Sequence, residues 1–153
     1  MKGEERIDYV HFSDAEQQQK IRDVEAAVQW LEQTHGAKKE RIALIGASIG
    51  ANLAIQYAAA HPEIPAVVAL SPGLDYRGVT TGDKIEAFQK NQSLFFVASE
   101  EDEYSFLTIR ALSAKKSDAV LREYKDAGHG TTMFTTQPSL MDEIVSWLKE
   151  RVG

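Results

Sequence analysis

The 153-residue chain contains no cysteine, which excludes disulfides, thiolate nucleophiles and cysteine-ligated zinc at once and fits a reducing compartment. Any chemistry must come from oxygen and nitrogen groups. Basic charge is also scarce: the formal net charge is -6, and Lys38, Lys39 and Arg41 are too few to form a stripe that would hold a phosphate backbone. A nucleic-acid partner is therefore not expected. Nowhere do enough apolar residues run together to span a bilayer, and Met1 to Arg6 lacks the apolar core of a signal peptide. The expected setting is cytoplasmic, away from any membrane. With 43% hydrophobic and 26% charged residues, the chain reads as one ordinary folded domain over 1–153, with no linker, repeat or low-complexity tract.

Within that domain the patterning alternates between short apolar runs and helical periods. Ser13-Asp14-Ala15-Glu16 has the form of a capping box, and Ile21, Val24, Val28 and Leu31 follow at helical spacing, ending at Gly36. Arg41 to Ile45 is a short apolar run closing on glycine, as expected of a parallel strand covered on both faces. Ala51 to Ala60 is rich in helix formers and stops at His61-Pro62. Ala66 to Leu70, Ser93 to Ala98 and Val120 to Tyr124 read as three further strands. Asp83 to Gln89, Tyr104 to Lys115 and the segment after Gln137-Pro138 read as helices. Strands separated by helical patterns predict a parallel sheet of about four strands with helices on both faces.

The chemistry concentrates at strand ends. Gly46-Ala47-Ser48-Ile49-Gly50 falls between a predicted strand and a predicted helix, the context in which a Gly-x-Ser-x-Gly turn exposes a strained serine hydroxyl. The helix that follows aims its free N–H groups at the same point, the Ile49 N–H being the natural oxyanion donor. A serine needs a base and an orienting acid, in the chain order serine, acid, histidine. Asp102 stands just past the third predicted strand and His129, within Ala127-Gly128-His129-Gly130, just past the fourth. All three lie at the carboxyl ends of strands, where an open α/β sheet binds ligands. His129 would take the Ser48 proton and return it to the leaving group, while Asp102 would fix the imidazole tautomer. Glu100 and Glu101 beside Asp102, and Asp75 after the second strand, remain alternatives for the acid.

Arg41 to Asn52, Ser71-Pro72-Gly73, Glu100 to Asp102 and Ala127 to Gly130 together resemble the α/β-hydrolase superfamily, and its esterase and dienelactone-hydrolase-like branch most. The resemblance spans nearly the whole chain but only the carboxyl-terminal part of the family's fold, from the nucleophile strand onward. It implies a truncated three-layer sandwich without the earlier strands, and without the loop that normally supplies a second oxyanion donor. Losing one such donor lowers turnover by about 10²–10³ rather than abolishing it. The resemblance also implies a small carboxylic ester as substrate, hydrolysed through an acyl-enzyme, and no cofactor.

Two consequences follow for partners and pocket. Without neighbours, the Arg41 to Ile45 strand is an open apolar edge that invites pairing, either by Ile7 to Phe12 or by a second copy in a homo-oligomer. The stretch from Leu74 to Gln92 is too short for a large lid, which favours an open site taking short acyl groups. Tyr76, Met133 and Phe134 are candidate wall residues, with core placement as the competing reading. His11, His35 and His61 have no ligand partners at suitable spacing, so no metal is expected. The rival to an enzyme is a non-catalytic hydrolase scaffold whose exposed edge binds a protein partner.

Overall fold

The computed structural model describes residues 11–153. Ser13 caps helix α1 (Asp14–Gln19) through a complete capping box with Glu16, and a turn at Lys20 leads into α2 (Ile21–His35), which ends on Gly36 at φ 63°. The sequence pattern suggested one helix here; the chain uses two. Four strands, β1 (Ala43–Ala47), β2 (Ala66–Leu70), β5 (Ser93–Ser99) and β6 (Val120–Tyr124), alternate with α3 (Ile49–Ala60), α4 (Glu103–Lys115) and α6 (Ser139–Val152). They form a parallel sheet in the order β1-β2-β5-β6. A four-residue helix, α5 (Met133–Thr136), precedes α6.

Alternation along the strands sorts the core into two layers. Val67, Ala69, Leu94, Phe96 and Ala98 face α2, α3 and α4, where Val28, Ile55, Ala58, Ile109 and Leu112 meet them. Ala66, Val68, Leu70, Phe95 and Val97 face the opposite way, against Leu140, Ile144 and Trp147 of α6. All five residues of β2 are buried, as a strand covered on both faces requires. Ion pairs fasten the far edge: Arg110 of α4 meets Glu123 of β6 at 2.6 Å, and Arg122 of β6 meets Glu143 of α6, with Nε–Oε1 at 3.0 Å.

Three expectations are corrected. The first strand begins two residues late, because Lys39–Arg41 forms a 3-10 turn, and it is not covered on both faces: Ile45 in its middle is 54% exposed. The predicted helix over Asp83 to Gln89 shrinks to a 3-10 turn at Ile85–Ala87. Ahead of it stands an unforeseen hairpin, β3 (Asp75–Tyr76) and β4 (Val79–Thr80), turned by Arg77 at φ 54° and Gly78 at φ 83°. Both residues of a type I′ turn carry positive φ, and an arginine in the first position disguises the signal. The hairpin is clasped by α3: Asn52 Nδ2 donates to Gly73 O at 2.9 Å and to Val79 O, and Gln56 Nε2 donates to Thr80 O at 2.9 Å. Of the segment expected to line the β1 edge, residues 7–10 lie outside the described residues, whereas the Phe12 carbonyl accepts from Arg77 of the hairpin turn. Among the described residues, no helix is long and apolar enough to cross a membrane.

Phe95 is fully buried against Trp147, with ring centroids 5.4 Å apart. Phe95→Ala is expected to cost about 3–5 kcal/mol, read as a fall in the urea midpoint; a change below about 1 kcal/mol would contradict the packing described.

Candidate active site

The site begins with a steric constraint. Strand β1 runs into α3 so closely that a Cβ on Gly46 would lie 2.2 Å from the Gly50 carbonyl oxygen; only glycine fits. The chain reverses at Ser48, which adopts φ 54° and ψ -129°, a conformation costing a non-glycine residue of order 1–3 kcal/mol. The Ser48 N–H donates to Leu70 O at 2.9 Å, and its carbonyl accepts from Ala51 N at 2.9 Å, so the turn is pinned to β2 on one side and to α3 on the other. Ile49 then opens a twelve-residue helix, whose first N–H groups have no partner within the helix and carry its positive dipole end.

Two neighbouring strand ends deliver the candidate acid and base. Asp102 follows β5 and His129 follows β6, and their side chains meet with Nδ1 to Oδ2 at 2.7 Å. None of the alternative acids is hydrogen-bonded to the His129 ring. Asp75 caps the hairpin turn through Gly78 N at 2.6 Å, Glu101 accepts the Gly128 N–H, and Glu100 is exposed. Burial acts on Asp102 to push its carboxyl up, but hydrogen bonds from Ser105, His129 and Ser71 outweigh it and hold the group below the usual carboxylate range. Asp102 is therefore a carboxylate at neutral pH, fitted to hold an imidazole in one tautomer. In this conformation no hydrogen bond joins Ser48 to His129, whose Nδ1 is engaged by Asp102. Catalytic hydrogen bonds of unliganded enzymes are often long and tighten with substrate.

Three serines outside the sequence expectations hold these loops. Ser71, fully buried at φ 49°, accepts the Gly130 N–H at 2.9 Å, joining the β2 turn to the His129 loop. Ser99 Oγ accepts the Ala127 N–H at 2.9 Å and donates to Lys125 O at 3.1 Å. Ser105, buried on α4, lies 3.0 Å from the Tyr76 hydroxyl and helps hold the Asp102 carboxyl down. Ser71 was visible as the first residue of a Ser-Pro-Gly turn, but a serine inside a helix such as Ser105 carries no sequence signal for such a role.

The expected wall residues separate. Tyr76 stands at the site, edge-on to Tyr104 with centroids 5.6 Å apart, and burial is the main cause raising its phenol above the usual range, so it stays a protonated donor. Met133 is fully buried in the α6 layer and Phe134 packs against the same cluster, which makes Met133 a core residue with no surface to offer a substrate. His61 fits its helix-end reading: its Nδ1 lies 2.8 Å from Tyr57 O. A cavity of about 450 Å³ lies at the other end of β1, lined by His35, Gly36, Ala37, Lys38, Arg41 and Val152; it holds no nucleophile, and convergence of reactive groups rather than volume locates the site. Among the described residues no cluster of three or more metal-ligating side chains occurs.

Comparison with known proteins places this architecture. The model of the dienelactone hydrolase family matches residues 4–143, and the chain belongs to that family. The solved structures it resembles share its α/β-hydrolase fold. An esterase from Pyrococcus furiosus superposes with a TM-score of 0.73 at 19% identity, over 88% of this chain and 63% of that one. A putative dienelactone hydrolase from Klebsiella pneumoniae gives 0.67 at 21% identity, over 92% and 63%. The esterase domain of a Rhodothermus marinus protein gives 0.70 at 17% identity, over 87% and 69%. The chain thus spans a little under two thirds of the length of the first two. No curated protein matches it.

Two outcomes test the geometry. Because folding holds the Asp102 carboxyl below its unfolded value, its ionised form adds stability that is complete above the ordinary carboxylate pKa near ~4 and is lost as pH falls through the lower folded value. Asp102→Asn should therefore lower the melting temperature more at about pH 7 than at about pH 3; an equal effect at both would contradict the assignment. Ser71→Ala strands the buried Gly130 N–H and should cost about 1–3 kcal/mol of stability, measured by chemical denaturation.

Proposed function

We propose that the protein is a serine hydrolase that cleaves small carboxylic esters through an acyl-enzyme. The observation that carries this reading is the His129–Asp102 contact of 2.7 Å, formed between loops at two strand ends beside a serine forced into a positive-φ turn. Family membership supports a hydrolase acting on esters; the particular residues and the substrate class are the proposal.

In the proposed reaction the ester carbonyl sits over the N-terminus of α3. Ser48 Oγ attacks it as His129 accepts the serine proton. The developing oxyanion accepts the Ile49 N–H, aided by the positive end of the helix. Collapse expels the alcohol, protonated by His129, and leaves an ester of the acid on Ser48. Water, activated by the same histidine, then releases the acid. Asp102 stays ionised throughout and stabilises the imidazolium. The hairpin and turns between β2 and β5 pack on α3 and build no lid, so an open crevice suits short acyl groups.

Hydrolysis of a short-chain nitrophenyl ester by the pure protein, beside its Ser48→Ala variant, tests the reading. Removal of the nucleophile should cut turnover by at least about 10³. Equal rates would instead favour a scaffold without catalysis. Labelling by a fluorophosphonate should likewise fall steeply in His129→Ala, and labelling that persists unchanged would remove His129 from the role of base.

A further inference from the structure

The proposed reaction leaves a pair of enclosed hydroxyls unused, one turn of α4 from the acid. Ser105 is fully buried, and its Oγ lies 3.0 Å from the Tyr76 hydroxyl. Tyr76 is itself fixed from two sides. Its ring packs over Gly73, where an added Cβ would come within 2.8 Å of it, and the Tyr104 ring covers the same glycine at 2.7 Å. Tyr104 stands edge-on to Tyr76 with centroids 5.6 Å apart. It is locked in turn, its hydroxyl accepting the Asp75 N–H at 2.9 Å and donating to Asp75 O at 3.0 Å. The Tyr76 hydroxyl therefore meets Ser105 from a ring with little freedom to turn away; its longer contact is Ser71 O at 3.4 Å.

Helix geometry sets Ser105 beside Asp102. Asp102 is the N-cap of α4 and Ser105 its third residue, two positions whose side chains lie on the same side of a helix's first turn, as in a capping box. An aspartate at an N-cap ordinarily accepts a backbone N–H of that turn. The Asp102 carboxyl makes no such bond and is turned to His129, with Oδ2 at 2.7 Å from Nδ1. The Asp102 side chain is only 17% exposed, and a carboxylate withdrawn from water needs donors from the protein.

Proton supply gives the contacts a direction. A serine hydroxyl has a single O–H to give, and an ionised carboxylate, which only accepts, is a better acceptor than a phenol oxygen. Both ends of the chain agree with that order. Against the burial that pushes the Asp102 carboxyl up, hydrogen bonding by Ser105 comes first among the causes that hold it down. Burial raises the Tyr76 phenol, which keeps its proton available to Ser105 at neutral pH.

We propose that Tyr76 and Ser105 are positioning residues for the candidate acid: the Tyr76 O–H donates to Ser105 Oγ, and the Ser105 O–H donates to the Asp102 oxygen not engaged by His129. The pair stops the carboxylate from turning about its last bond, a broad torsion, and so holds the His129 ring in the plane from which Nε2 serves Ser48. The inference rests on the reading of Asp102 and His129 as acid and base.

Carbon-13 titration of the Asp102 carboxyl in the substrate-free protein tests the chain without relying on catalysis. Loss of a donor to the charged form raises a carboxyl pKa, so Ser105→Ala should move the Asp102 midpoint up by about half a unit, the scale of one hydrogen bond. Ser105→Cys, of nearly the same size with a weak S–H donor, should move it the same way and decides the matter if Ser105→Ala does not fold. Tyr76→Phe, which keeps the ring on Gly73 and Tyr104, should give a smaller rise, since the Ser105 proton remains. Glu101, which accepts the Gly128 N–H, is present in every protein compared, so its field cancels. With a short-chain nitrophenyl ester, Ser105→Ala should lose kcat by about three- to tenfold at unaltered KM. Because the two residues act in series, adding Tyr76→Phe should cost nothing further. An unmoved Asp102 midpoint in the Ser105 variants, a raised KM with kcat intact, or losses that multiply in the double variant would overturn the proposal. A protein that hydrolyses no ester yet shows the shifted midpoint would overturn the catalytic reading and leave the hydrogen-bonded chain standing.

Discussion

The near-collision of Gly46 with the Gly50 carbonyl is the constraint on which the site rests. A strand and a helix brought that close leave the intervening residue a positive φ and nowhere to point except out of the sheet. The same approach sets the amino terminus of α3 directly beside that residue. The strain at Ser48, the outward hydroxyl and the electropositive helix end are therefore three results of one backbone geometry. Its cost is recovered by the burial of α3, where Ala51, Ile55 and Ala58 are wholly enclosed.

Helix α3 then acts as a common mount. Four residues beyond Ser48, Asn52 is fully buried and accepts the Gly73 N–H at 3.0 Å while donating to two carbonyls of the hairpin region. The element that carries Tyr76 is thereby tied to the helix that follows Ser48. On the other side, Ser71 reaches from the end of β2 to the histidine loop, and Ser99 and Glu101 hold that loop from the end of β5. Hydrogen bonds from one strand end to the next suspend Asp102 and His129, and these matter because both residues stand on glycine-rich or exposed turns that packing alone would not order. Family membership and the shared fold fit this arrangement, and the ester-cleaving role assigned to it remains our proposal.

Much of this was legible in the residues. The segments Ala66 to Leu70 and Val120 to Tyr124 matched their strands to the residue because burial on both faces, or an edge pinned by ion pairs, leaves little freedom in where a strand begins. The capping box at Ser13 and the glycine at 36 announced helix ends through local chemistry. Gly46 to Gly50 announced the turn for the same reason. What was not legible depended on distant partners. Ile85–Ala87 forms a single 3-10 turn where the local pattern suggested a longer helix, and the Arg77-Gly78 turn is stabilised by Asp75, Gln18 and Asp14, two of them some sixty residues away. Met133 has the composition of a pocket wall and the position of a core residue, a difference set by α6 packing over it. Ser71 and Ser105 are ordinary serines until the loops they bridge are brought together.

Among the described residues β1 is an edge strand, and Ser48 directly follows its last residue, so whatever pairs with that edge borders the candidate site. The central claim is nevertheless a chemical one about a single oxygen atom. Rapid-quench mass analysis of the protein mixed with a short-chain activated ester tests it most directly. The account predicts a transient acyl adduct on the peptide that carries Ser48, formed at the rate of alcohol release and absent from Ser48→Ala. Turnover with no adduct on that peptide, or an adduct that forms equally in Ser48→Ala, would contradict it.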